Sequence, residues 1–132
     1  MSIYGMIRKE VMDMLNCIAV GMGGFLGAVC RYLVGQIPVK EVTLFPVKTF
    51  GINIVGCLLI AMIIAGVSKG VGIPPRVELF LKAGFCGGFT TFSTFAAETA
   101  GLMQQGHAGM AVLYAVLSVL VGVAAVLLIQ GT

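Results

Sequence analysis

A chain of 132 residues that is 59% hydrophobic and only 10% charged is not an ordinary soluble domain, in which about a quarter of residues carry charge. Its mean hydropathy of +1.09 agrees, and one membrane-embedded domain is all that fits this length. The net charge of +3 comes mostly from basic residues near the ends of apolar runs, with no basic stretch interleaved with aromatics, so no nucleic-acid partner is expected.

About 20 apolar residues cross a bilayer as a helix. Four such segments nearly exhaust the chain, at 15–37, 47–67, 79–103 and 110–129. Residues 1–14 are polar enough to stay out of hydrocarbon and form an N-terminal interfacial segment; 15–132 form the transmembrane domain. The first span carries Gly21, Gly23, Gly24 and Gly27, and the four-residue spacing of Gly23 and Gly27 suits close approach of two helix backbones. The segment ending Gly27-Ala28-Val29-Cys30 lacks the leucine of a lipid-modified signal and is followed by further spans, so no cleaved signal is expected. A short loop at 38–46 contains Lys40 and Glu41.

The second span opens with Lys48 and Thr49 and carries Asn53 about a turn further in. Thr49, Asn53 and either Gly56 or Cys57 share one helix face. Gly70, Gly72, Pro74 and Pro75 then signal a turn. The fourth span is almost wholly aliphatic except for Tyr114 and Ser118, one turn apart on one face. His107 precedes it and reads as solvated surface. Cys17, Cys30, Cys57 and Cys86 fall inside apolar runs and read as small packing residues. With four crossings, one side carries Arg8, Lys9, Lys69, Arg76 and Lys82, against Lys40, Lys48 and Arg31 on the other; the bias weakly favours a cytoplasmic N-terminus.

The third span holds the decisive stretch, Gly84-Phe85-Cys86-Gly87-Gly88-Phe89-Thr90-Thr91-Phe92-Ser93-Thr94-Phe95. Two adjacent glycines loosen the helix, and four hydroxyls follow among phenylalanines. In hydrocarbon, a loosened backbone and unpaired hydroxyls cost several kcal/mol unless protein, ion or water satisfies them. One reading is hydroxyls bonding back to their own helix with glycines for packing. The other is a site that handles something polar at membrane depth.

No paired intramembrane carboxylates, HExxH, phosphate loop or nucleophile elbow occurs, so no enzyme is expected. Glu98 is the one acid well inside a predicted span, and it reads equally as a functional intramembrane acid or a water-facing vestibule residue. What remains is polar but uncharged: Thr49, Asn53, Thr90, Thr91, Ser93, Thr94, Tyr114 and Ser118. Phe89, Phe92 and Phe95 are spaced by three, which lines ring edges along one side. Ring edges are electropositive, so beside hydroxyl and amide donors they suit a small anion, where a cation path wants carboxylates or converging carbonyls.

These residues closely resemble the small bacterial fluoride channels of the Fluc or CrcB family. The likeness runs over roughly 18–122 and rests on Gly23-Gly24-Phe25-Leu26-Gly27-Ala28 with Arg31-Tyr32, on Thr49 with Asn53 and Gly56, and on the Gly84–Phe95 stretch running to Glu98. The resemblance implies an all-α membrane protein of the bacterial cell membrane, with four transmembrane helices per subunit and the third broken. It also implies an antiparallel, dual-topology homodimer in the lipid bilayer, with two fluoride pores along the interface and no other protein partner. On the matching positions, Phe92 and Phe95 line the fluoride track, Asn53 donates to the anion, Tyr114 and Ser118 line the path, and Thr94 and Thr49 add hydroxyls. Backbone carbonyls of Gly87 and Thr90 hold a central structural Na+, and Arg31 draws anions into a vestibule. Two positions depart from relatives: Gly122 replaces a serine that some carry, and Lys48 stands where glycine is common. The alternative class, a small proton-coupled multidrug exporter, needs an acid embedded in its first span, where this chain has none beyond Asp13 outside it.

Overall fold

The computed structural model describes residues 2–40 and 44–131; Glu41 of the first loop and the two terminal residues lie outside them. Among the described residues the chain is entirely helical. Helix α1 (Ile3–Gln36) begins at Ser2, whose hydroxyl accepts the Gly5 N–H at 3.2 Å. It then runs 34 residues without a stop, because residues 6–20 contain neither glycine nor proline. The N-terminal segment is therefore continuous with the first span. At 1.5 Å per residue α1 is about 51 Å long, so roughly 20 Å extends beyond a hydrocarbon core about 30 Å thick.

Helix α2 (Val47–Ser68) ends where Gly70 adopts φ 77°, a left-handed conformation that glycine accepts without steric cost. Helix α3 (Pro75–Leu79) starts with proline in its first turn, where the missing N–H costs nothing. It continues without interruption into a π-helical stretch, Phe80–Cys86, and a last turn, α4 (Gly87–Phe89). The chain is then extended at Thr90 (φ −81°, ψ 160°) and Thr91 (φ −150°, ψ 109°), and helix resumes as α5 (Phe92–Gln104). A turn through Gly106 (φ 83°) leads to α6 (Ala108–Gln130).

Helices α1, α2 and α6 are each long and apolar enough to cross a membrane. The third sequence-predicted span, expected to be broken, is two shorter helical pieces with a break between them. Threonine hydroxyls at 90 and 91 compete with the helix for backbone partners, and the Gly87-Gly88 pair next to them gives little helical propensity to resist.

Glycines seat the broken element on α1. A Cβ at Gly23 would overlap the Phe80 carbonyl, and one at Gly27 the carbonyl of Phe85. The contact is reciprocal: Gly84 lies against the backbone of Val20 and Gly23, and Gly88 against that of Gly24. The Gly23/Gly27 spacing thus meets a matching Gly84/Gly88 spacing across the interface.

Helices α2 and α6 pack side by side and run parallel. Thr49 and Tyr114 stand level, bonded to the same carboxylate, and eight residues further along each helix Cys57 meets Gly122. Tyr114 is fully buried and, with Leu102 and Ala111, centres a small core into which Phe45, Phe50 and Phe95 pack. Outside that core, large apolar side chains such as Phe25, Leu127 and Leu128 face outward. Water would not tolerate so broad an apolar exterior, and lipid does.

Candidate functional site

The break between α4 and α5 leaves backbone groups that a helix would have paired, and specific side chains take them up. The Thr91 N–H donates to Asn53 Oδ1 at 2.9 Å, and Asn53 Nδ2 donates back to the Thr91 carbonyl at 3.3 Å. The Thr91 hydroxyl caps α5 by accepting the Thr94 N–H at 3.2 Å, and it donates to Thr94 Oγ1 at 3.0 Å. On the other side of the break, Thr90 Oγ1 bonds back to the Cys86 carbonyl at 2.8 Å. From α1, Arg31 Nε donates to the Gly88 carbonyl at 3.1 Å.

The four carbonyls of 87–90 all lose the N–H that an unbroken helix would give them, and that of Gly88 regains a donor in Arg31. The N–H four residues beyond Gly87 belongs to Thr91 and is turned to Asn53; the one four beyond Thr90 belongs to Thr94 and is turned to the Thr91 hydroxyl. Carbonyl oxygens deprived of N–H at membrane depth suit a hard cation, which backbone oxygens can hold in place of its hydration shell. Among the described residues no group of three or more His, Cys, Asp or Glu could hold a metal. The oxygens of Gly87 and Thr90 are among the carbonyls so freed, and a hard cation takes donors of this chemistry.

Two open cavities flank the α2–α6 pair. The larger, about 790 Å³, is lined by Lys48, Thr49 and Glu98 near the start of α2. Here Thr49 Oγ1 donates to Glu98 Oε1 at 2.7 Å and the Tyr114 hydroxyl to Oε2 at 2.8 Å. Lys48 Nζ turns aside to the Gly35 carbonyl at 2.9 Å, tying the end of α1 to the start of α2.

The second cavity, about 400 Å³, lies beside the break and is walled by Asn53, Phe92, Phe95 and Ser118. The Ser118 hydroxyl is buried and has no hydrogen-bond partner among the described residues. The rings of Phe92 and Phe95 lie 5.7 Å apart at 43°, and Phe95 leans on Tyr114 at 5.1 Å and 59°. Phe92 is 79% exposed, so its ring stands on the open side of the cavity.

The structure thus divides the sequence-nominated residues. Asn53, Phe92, Phe95 and Ser118 share one cavity, with Thr90 and Gly87 on its wall. Thr94 belongs to the cap of α5, and Thr49 and Tyr114 are bonded to Glu98 in the other direction. Arg31, expected at a vestibule, is placed against the break. The pairing of Glu98 with Thr49 and Tyr114 was missed in the sequence, although a signal existed: an acid inside a span needs donors, and few hydroxyls were available.

These features define a multi-pass membrane protein with a polar site built around a helix break at membrane depth. Residues 18–131 match the sequence model of the family described as CrcB-like protein, Camphor Resistance (CrcB). The chain belongs to that family and is a multi-pass bacterial membrane protein. It is 45% identical over 121 residues to the "Fluoride-specific ion channel FluC" of Chlorobaculum tepidum, covering 92% of this chain and 94% of that protein. It is 39% identical over 110 residues to the protein of the same name from Azobacteroides pseudotrichonymphae, covering 83% and 88%. Against "Fluoride-specific ion channel FluC 2" of Rhodococcus jostii it is 41% identical over 111 residues, covering 84% and 92%.

Proposed function

We propose that this protein is a passive, fluoride-selective ion channel that drains fluoride from the cytoplasm, and not an enzyme. The observation that carries the reading is the buried Ser118 hydroxyl, unpartnered beside the two phenylalanine rings at the helix break. A donor left without an acceptor at membrane depth costs about 1–3 kcal/mol, and an anion passing the site would recover part of that. The names borne by relatives that are 39 to 45% identical point to fluoride as that anion.

Hydrogen fluoride crosses membranes uncharged and dissociates in a near-neutral cytoplasm, which traps the anion. A membrane potential negative inside drives it out, with about 2.3 kcal/mol per charge for each 100 mV. The exporter reading loses ground, because the acids of α1, Glu10 and Asp13, are exposed in its first turns.

Four crossings fit the parallel run of α2 and α6, since the chain between them must return across the membrane. We further propose an antiparallel homodimer in which a second copy covers the open side of the cavity, where Phe92 stands uncovered, giving two pores. The Gly87 and Thr90 carbonyls would hold a sodium ion at the dimer centre; when bound, it supplies positive charge that the diverted N–H groups no longer provide. Asn53 and Arg31 hold the backbone of the break in place, and Ser118, Phe92 and Phe95 meet the anion.

The test is efflux from liposomes holding purified protein, loaded with fluoride in one batch and chloride in another, with potassium and valinomycin setting the voltage. Rapid fluoride release with little chloride release is expected. Release of neither ion from protein shown to be dimeric would overturn the reading.

A further inference from the structure

The cavity beside the break has a cation on its wall that the path so far does not use. Lys82 lines it together with Asn53, Phe95 and Ser118. The π-helical stretch Phe80–Cys86 carries this lysine, and such widened turns re-aim side chains relative to a regular helix. Lys82 shares the cavity wall with Cys57, Ile60, Cys86 and Gly87. Its ammonium lies 3.0 Å from Glu78 Oε1, one turn back on α3, with the two side chains 36% and 29% exposed. Ion pairs this open are weak and screened by salt, so an arriving anion can compete for the lysine.

The other charges near the route are already engaged. Arg31 Nε is spent on the Gly88 carbonyl, Lys48 Nζ on that of Gly35, and both oxygens of Glu98 on Thr49 and Tyr114. Lys82 is thus the cation on this cavity whose partner can move away.

We infer that Lys82 is the anion-collecting residue at the mouth of this cavity, with Glu78 as its displaceable counter-charge. The inference rests on the fluoride reading above. A unit charge about 6 Å from an anion in water raises its local concentration roughly threefold. The Debye length is about 30 Å at 0.01 M salt and about 3 Å at 1 M, so the gain is present at low ionic strength and gone at high.

Fluoride efflux from liposomes is measured for the parent, Lys82→Gln, Lys82→Arg and Glu78→Gln, with an impermeant salt setting ionic strength near 0.01 M or near 1 M. Lys82→Gln is expected to conduct about threefold more slowly than the parent at low ionic strength and equally at high. Lys82→Arg should match the parent, and Glu78→Gln should match or exceed it at low ionic strength. A Lys82→Gln channel that equals the parent at low ionic strength, or loses the same factor at both, overturns the inference while leaving the channel reading intact. A parent that conducts no fluoride removes the channel reading first, and this inference with it.

Discussion

Replacing Asn53 with alanine removes the clamp on the helix break, and its cost can be worked out from two hydrogen bonds. The Thr91 N–H loses an acceptor at 2.9 Å and the Thr91 carbonyl loses a donor at 3.3 Å. Both bonds are part-buried beside an open cavity, so water takes up part of the loss; at about 0.5–1.5 kcal/mol net per hydrogen bond the pair amounts to about 1–3 kcal/mol. The broken conformation has a ready competitor. Without Asn53, the Thr91 N–H can return to the Gly87 carbonyl and close the helix, which also removes an oxygen from the proposed sodium site. At 1.4 kcal/mol per tenfold, the middle of that range shifts the equilibrium between open and closed break about 30-fold toward the closed form. Fluoride efflux from Asn53→Ala liposomes should fall by more than twofold and up to that factor, while exposed Lys69→Ala, far from the break, stays at the parent rate. Efflux within twofold of the parent, from Asn53→Ala protein that is still dimeric, would falsify the clamp.

Three further outcomes are expected. Phe92→Ile and Phe95→Ile should each reduce fluoride efflux about two- to tenfold while the protein still assembles, since a ring edge contributes about 0.5–1.5 kcal/mol that an aliphatic group does not; parent-like rates in both would remove the rings from the path. Gly27→Ala should lower the unfolding midpoint by the equivalent of about 1–3 kcal/mol, because its Cβ meets the Phe85 carbonyl and the Phe89 N–H, backbone that cannot rotate aside. Gly35→Ala, which opens onto no neighbour in the chain, serves as the control, and equal effects at both sites would dismiss the backbone contact. Exchange of sodium for N-methylglucamine should lower the thermal stability of the dimer by several degrees, and an unchanged transition would leave the Gly87 and Thr90 carbonyls without a structural ion.

Much of the architecture was legible because lipid imposes a simple rule on composition. The apolar runs from 47 and from 110 became α2 and α6 almost residue for residue, with glycine or proline turns to end them. The Gly23/Gly27 spacing pointed to a close backbone approach, and its partner proved to be Gly84 and Gly88. The continuity of α1 through its first dozen residues was not read, because polarity says where a helix leaves the membrane and not where it stops. The π-helical widening at 80–86 left no signature in the sequence; it lies where Gly84 meets the α1 backbone. Side-chain roles were harder again. Thr49, Asn53, Thr94, Tyr114 and Ser118 look alike in sequence, as polar groups in apolar spans, and only the fold separates donors that are already spent from those still available.

That separation bears on how an anion could pass quickly. Had every nominated hydroxyl and amide faced one cavity, they would form a binding site that holds fluoride too well to release it. The structure instead spends Thr49 and Tyr114 on Glu98, the Thr91 hydroxyl on Thr94, and most of Asn53 on Thr91. On the cavity wall stand the Ser118 hydroxyl, without a partner among the described residues, one remaining N–H of Asn53, Lys82 in its open ion pair, and the rings of Phe92 and Phe95. Conduction needs binding strong enough to admit an ion and weak enough to let it leave. A few donors with weakly electropositive ring edges fit that middle ground, and the hydrogen bonds nearby keep the backbone around them still.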